Sequence, residues 1–316
     1  ENNFMTNQIT NTILMVRPVA FRMNEETAVN NYFQEDIQLR NEEINRIAQQ
    51  EFDAFVTKLR NVGVRVIVVD DKAELDTPDS IFPNNWVSFH EDGTAVIYPM
   101  FAENRRRERR MEIFEELEKQ GFVIKEVLDY TEAEEEGLYL EGTGSMILDR
   151  VNQKAYCALS PRADEELFIE FCEDMEFTPV IFGAFQNVDG KRKPIYHTNV
   201  MMCVADEFAV ICLDSIDDSK EKKNVVKHLK EDGKEIIKIT EIQMHHFAGN
   251  MLQVKGAEGK KYLVMSTTAH NSLTPDQLKT IGKYCEIISS DISTIETCGG
   301  GSTRCMMAEV FLPVKD

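Results

Sequence analysis

Residues 144–182 read GSMILDRVNQKAYCALSPRADEELFIEFCEDMEFTPVIF. Two short apolar runs, Gly144–Asp149 and Lys154–Ala158, flank a polar turn in the manner of a β-hairpin. Asp164–Met175 then reads as a helix and Thr178–Phe182 as a further strand. The same order recurs along the chain. Trp86–His90 and Ala95–Tyr98, joined by Glu91-Asp92-Gly93-Thr94, precede a helix at Arg107–Gln120 and a strand at Phe122–Val127. Val200–Val204 and Phe208–Cys212 precede helix Ser219–Glu231 and strand Glu235–Ile239. Met251–Val254 and Tyr262–Ser266 precede helix Thr274–Ile281 and strand Glu286–Ser289. Near the start, Thr12–Val16 and Val64–Val69 flank a helix at Asn41–Leu59, whose Ile44, Ile47, Phe52, Phe55 and Leu59 share one face. Cys305–Phe311 pairs back with Thr12–Val16 to complete a fifth unit. Five strand–strand–helix–strand units of about 50–60 residues predict an α/β fold closed radially, with unit ends converging on a central axis. An open doubly wound sheet is the competing architecture. No Gly-x-Gly-x-x-Gly or Walker-type loop follows any strand, which argues against a nucleotide or dinucleotide site.

The chain has 316 residues, 42% hydrophobic and 28% charged, enough for a large core, and no segment reads as a linker, so residues 1–316 are expected to form one domain. The net charge of −20 repels phosphate backbones and excludes nucleic acid as a natural partner. The basic cluster Arg105–Arg110 interleaves with acids and reads as the solvated face of a helix. Seven cysteines, an odd number without CxxC spacing, suit a reducing, cytoplasmic setting, and those at 203 and 212 lie in apolar strand-like runs. The apolar stretches are too short for a membrane span, and the first residues lack a signal-peptide core. His245 and His246 are adjacent, a poor spacing for metal ligands, so neither a metal nor another cofactor is expected and chelation should leave activity intact.

Polar residues gather where the units open. Cys305 follows Gly299-Gly300-Gly301-Ser302, a turn that could expose its sulfur to a substrate. Glu141 stands in Leu140-Glu141-Gly142-Thr143-Gly144, and His197 in Tyr196-His197-Thr198-Asn199. Asn84 and Asn85 stand in Phe82-Pro83-Asn84-Asn85-Trp86, shortly after Asp79. Each alone reads equally as a turn residue or a satisfied structural group. Together, Cys305, His197 and Glu141 supply a nucleophile, a proton shuttle and an acid for attack on a nitrogen-rich carbon. Arg162, in Leu159-Ser160-Pro161-Arg162, is a fork for a substrate carboxylate or else a surface arginine.

Over nearly its whole length, from Leu14-Met15-Val16-Arg17-Pro18 to Arg304-Cys305-Met306, the chain resembles the guanidino-group-modifying superfamily. That group includes arginine deiminase, dimethylarginine dimethylaminohydrolase, glycine amidinotransferase and citrulline-hydrolase-like enzymes. The resemblance implies a five-bladed α/β propeller, with Cys305 as nucleophile, His197 as general acid and base, and Glu141 as the acid beside them. It implies Asp79 for the substrate ammonium and Arg162 for the carboxylate. Where deiminases hold the cationic guanidinium with two aspartates, this chain has Asn85 and Asn199, and Pro99 stands where an arginine follows the Ala95–Tyr98 strand. Amides suit a neutral ureido group better than a guanidinium, because they both donate and accept. The expected substrate is therefore citrulline or a related free amino acid, bound by Asp79, Asn84, Asn85, Arg162 and Asn199, with ornithine, ammonia and carbon dioxide as products. An aspartate recruited from elsewhere, such as Asp214, would undo the charge argument. Arginine deimination, dimethylarginine hydrolysis, group transfer and a non-catalytic propeller are the alternatives; a homodimer is the possible assembly.

Overall fold

The computed structural model describes residues 6–315. The strands are β1 (Thr12–Arg17), β2 (Arg65–Asp70), β3 (Val87–Phe89), β4 (Thr94–Ile97), β5 (Glu126–Asp129), β6 (Met146–Asp149), β7 (Lys154–Leu159) and β8 (Thr178–Gly183). They continue with β9 (Phe185–Val188), β10 (Lys191–Pro194), β11 (Met202–Val204), β12 (Phe208–Ile211), β13 (Glu235–Lys238), β14 (Leu252–Lys255), β15 (Lys261–Ser266), β16 (Glu286–Ser290) and β17 (Ala308–Glu309). Among the described residues these make five three-stranded sheets, β17-β1-β2, β3-β4-β5, β6-β7-β8, β11-β12-β13 and β14-β15-β16, and the separate hairpin β9-β10.

Each three-stranded sheet has one plan. A short first strand runs antiparallel to a middle strand, and the middle strand runs parallel to an outer one. The parallel step needs a crossover, and helices supply it: Asn41–Asn61, Glu112–Lys119, Glu165–Asp174, Ser219–Glu231 and Pro275–Gly282. Three of the five starts carry side-chain caps against fraying. Asp164 accepts from Leu167 N at 3.1 Å, Asp218 from Lys220 N and Glu221 N, and Thr274 forms a reciprocal capping box with Gln277. The helices bury one stripe each, such as Leu167, Phe168, Phe171 and Cys172, while middle strands such as β4 and β12 are buried throughout. The core is accordingly a set of apolar clusters lying between neighbouring sheets.

Several expectations shift. The strand expected at Phe122–Val127 forms at Glu126–Asp129 instead, because Phe122 and Val123 pair with the tail through a bridge to Val314 and a bond to Pro313 O. The helix expected at Arg107–Gln120 forms only over Glu112–Lys119, and a separate short helix, Glu103–Arg106, precedes it. The cluster Arg105–Arg110 is not a solvated face: Arg105 and Arg110 are buried, and Arg105 is locked to Glu108. The hairpin β9-β10 was not anticipated, although Asp189-Gly190, with φ of 50° and 73°, is a typical two-residue turn signal. No helix among the described residues is long and apolar enough to cross a membrane.

Candidate active site

The first strands of the sheets are each preceded by a tight turn, and these turns converge. Asn84 and Asn85 end one before β3, Glu141 caps the Gly142–Ser145 turn before β6, His197 caps Thr198–Val200 before β11, and Cys305 lies three residues before β17. The pocket between them is lined by Asn31, Asp79, Phe82, Asn85, Arg105, Arg162, Tyr196, His197, Gly299, Gly301 and Cys305. Sequence reading brought seven of these together: Asp79, Asn85, Arg162, His197, Cys305, and Gly299 and Gly301 of the glycine turn. It did not find Arg105, Asn31 or Tyr196.

Cys305 is buried rather than exposed, at 2% of its accessible surface. A long irregular segment between β1 and the Asn41–Asn61 helix roofs it. Asn31 of that segment donates to Gly299 O at 3.3 Å and Gly300 O at 3.4 Å, and Tyr196 OH donates to Gly300 O at 2.5 Å. Gly300 is left-handed at φ 65°, and a Cβ there would lie 2.5 Å from Asn31, so only glycine fits under the roof. What remains is a cavity of about 10 Å³ measured at the radius of a water molecule.

His197 Nε2 donates to Glu141 Oε1 at 2.7 Å. Burial works to raise the Glu141 carboxyl, but the Arg162 guanidinium and the bond from His197 outweigh it and hold it at about 2. Burial lowers His197 to about 4 against the pull of Glu141, so the imidazole is neutral at pH 7, with its proton on Nε2. Glu141 is fully spent on protein partners: Oε2 accepts from Phe101 N at 2.9 Å, and Arg162 Nη1 lies 3.5 Å from Oε1. It orients His197 and does not reach into the pocket as a free ligand. Gly144 makes room for this dyad, since a Cβ there would fall 2.8 Å from His197 Nδ1 and 2.4 Å from Asn85 Nδ2.

Asn84 and Asn85 divide. Asn84 is turned away, donating to Thr143 Oγ1 at 3.2 Å and accepting from Asn85 Nδ2 at 2.9 Å, so its place is behind the pocket wall. Asn85 lines the pocket and accepts from Arg105 Nη1 at 2.9 Å. Arg105, unmarked in the sequence, lines the pocket where the sequence offered only Pro99. It comes from a different segment, and nothing in its sequence neighbourhood separates it from Arg106 or Arg107. Asn199 touches the sulfur of Cys305, Nδ2 lying 3.4 Å from Sγ. Asp214 is exposed and does not line the pocket.

Asp79 is buried, and burial raises its carboxyl against the opposing charge of Arg105. Oδ2 accepts from Asn24 Nδ2 at 2.8 Å, whereas Oδ1 is buried with no partner. Arg162 is stacked 4.7 Å over the Tyr196 ring, and its fork is occupied by the roof, bonding Asn30 Oδ1 from Nε and Nη2 and Thr27 O from Nη2. Among the described residues no group of three His, Cys, Asp or Glu side chains could hold a metal ion.

The profile of the family described as N,N dimethylarginine dimethylhydrolase, eukaryotic, matches residues 17–312. Among solved structures, apo ArgZ, an arginine dihydrolase from the ornithine-ammonia cycle in Cyanobacteria, superposes with a TM-score of 0.73 at 15% identity. That match covers 96% of this chain and 41% of ArgZ, so the chain spans about two fifths of its length. The product-bound N-terminal domain of ArgZ gives a TM-score of 0.72 at 15% identity, covering 97% of this chain and 100% of that one. An adduct of a dimethylarginine dimethylaminohydrolase with S-methyl-L-thiocitrulline gives 0.63 at 16% identity, covering 95% and 99%. At these identities the likeness is one of fold. A search of curated proteins gave no match.

Proposed function

We propose that this chain, which belongs to the family described as N,N dimethylarginine dimethylhydrolase, eukaryotic, is a cysteine hydrolase of an arginine-type free amino acid. It works at the guanidino carbon and goes on to the ureido carbon, so that ornithine is released. The observation that carries this reading is Cys305 Sγ set against an amide nitrogen in a pocket that also offers the unpartnered Asp79 Oδ1. The finer fold reading is a closed five-bladed propeller, one catalytic domain over residues 1–316, with the pocket on its axis.

Because His197 is neutral at rest, the proton it delivers must first come from the Cys305 thiol. The thiolate forms a bond to the head-group carbon, and the tetrahedral adduct collapses as His197 protonates the leaving nitrogen. Ammonia leaves from a guanidino group and ornithine from a ureido group. His197 then takes a proton from water, which attacks the thioester-like carbon and frees the cysteine. From the carbamoyl stage the product is carbamate, hence ammonia and carbon dioxide. Asp79 Oδ1 takes the α-ammonium. Arg162 takes the α-carboxylate after the roof lifts and withdraws Asn30.

Two observations pull the head-group assignment in different directions. The family and the fold neighbours are named for arginine and its methylated form, which favours a substrate with a cationic head. The amides of Asn85 and Asn199 favour the neutral ureido group, and hydrolysis of citrulline alone is the second reading. Purified protein assayed on arginine, citrulline and dimethylarginine, scoring ammonia, citrulline and ornithine separately, decides. Ornithine from both arginine and citrulline supports the proposal. Ornithine from citrulline alone replaces it with the second reading, and citrulline as the end product of arginine reduces it to a deiminase.

A further inference from the structure

Phe247-Ala248-Gly249-Asn250 leads into β14 of the β14-β15-β16 sheet, and the geometry points to a role there that no sequence signal marked. The turn is costly to make. Phe247 is left-handed at φ 62°, a conformation that side chains other than glycine avoid. Gly249 presses on the neighbouring turn so closely that a Cβ would lie 2.4 Å from Val200 O. The result is to deliver Asn250, buried at 1%, onto the nucleophile. Its Nδ2 donates to Asn199 O at 2.9 Å and to Cys305 Sγ at 3.3 Å, and Thr303 Oγ1 from the cysteine turn donates to its carbonyl at 3.3 Å.

The orientation of this amide is fixed. Asn199 O can only accept, so a flip would set oxygen against oxygen and take the nitrogen off the sulfur. The cost of holding it is visible in Asn250 Oδ1, which is buried without a partner. The Asn199 side chain differs, with Nδ2 at 3.4 Å and Oδ1 at 3.7 Å from the sulfur, and it can serve a thiol or a thiolate. Asn250 can only donate. The charged or titratable groups facing the same pocket are Asp79, Arg105, Arg162, Tyr196 and His197; Tyr196 donates to Gly300 O, and the two arginines are engaged by Glu108, Asn85, Asn30, Thr27 and Glu141.

We infer that Asn250 is a catalytic residue that selects the ionised form of Cys305, the thiol proton passing to the imidazole of His197. The inference rests on Cys305 being the nucleophile. Asn250→Asp keeps the size and replaces the donor by an acceptor. Substrate-free protein is treated with iodoacetamide, and the Cys305 peptide is followed by mass spectrometry beside the buried Cys157 and Cys203 as internal references. The variant should alkylate Cys305 at least about tenfold more slowly than the parent near pH 7 and catch up near pH 10, with kcat lowered and KM within about threefold. Equal alkylation of parent and variant near pH 7 overturns the role of Asn250 while leaving the nucleophile in place. A parent in which Cys305 reacts no faster than Cys157 overturns both. If the aspartate variant does not fold, Asn250→Ala gives the same two readings.

Discussion

Glu141 and His197 meet at 2.7 Å although 56 residues separate them, because each caps the turn that opens its own sheet. Burial has opposite consequences for the two partners. It disfavours charge on both, yet Arg162 keeps Glu141 ionised while His197 is left neutral. The dyad is therefore an anion holding a neutral imidazole in one tautomer, ready to receive a proton.

This arrangement makes stability acid-sensitive. His197 is lowered from 6.5 to about 4, so its contribution is fully present above pH 6.5 and is lost as pH falls towards 4. The magnitude is about 3 kcal/mol. Glu141, held at about 2, loses its contribution lower still, as pH falls from 4.5 towards 2. Melting temperature followed from pH 7 to pH 4 should drop in the parent and fall less steeply in His197→Gln, which retains a neutral donor to Glu141. Parallel curves for the two proteins refute the assignment.

Cys305→Ser should lower kcat by about 10⁴ or more, as expected for loss of a nucleophile. Intact-mass analysis of rapidly quenched parent should show a covalent adduct in turnover, and the serine variant none. Turnover by the variant above a few hundredths of the parent rate would remove the sulfur from the reaction.

Gly144→Ala tests the space around the dyad. Its backbone is not left-handed, so the effect is steric, from a methyl 2.4 Å from Asn85 Nδ2 and 2.8 Å from His197 Nδ1. A rate loss of about 10²-fold or more is expected, with melting lowered by the equivalent of about 1–3 kcal/mol, the usual range for overpacking. An alanine variant with parental kcat would show that the imidazole has freedom the structure does not give it.

The sheet order was legible in the sequence because each unit repeats its apolar runs and turn residues. Cys305, His197 and Glu141 stood out because their residue types and their place beside glycines agree with nucleophilic chemistry. Arg105 did not, because a buried arginine and a solvated one look alike within Arg105-Arg106-Arg107, and only the partner Glu108 and the carbonyl of Phe82 distinguish it. Asn84 was overread for a related reason. Adjacent asparagines cannot both face one pocket from a tight turn, and the structure sends one to Thr143.

Asp79→Asn should raise KM for the amino-acid substrate about 10- to 100-fold while changing kcat less, since an amide oxygen in place of Oδ1 still accepts but carries no charge for an ammonium. Substrates acetylated on the α-nitrogen should bind the parent poorly and discriminate little between parent and variant. If the parent turns over the acetylated and free forms alike, Asp79 has another partner.

The pairing of β17 with β1, Leu14 against Ala308 and Ile13 against Glu309, joins the two ends of the described chain three residues beyond Cys305. Such a contact pays the largest loop-closure entropy in the molecule and is among the last a folding chain can make. The turn that holds Cys305 hangs from that pairing, so a chain with four finished sheets has His197, Glu141 and Asn85 but no sulfur in place. Assembly of the pocket is thereby tied to the end of folding. In refolding from denaturant, activity should return with the slowest phase, after most helical signal has recovered, and partly folded chains should be inert.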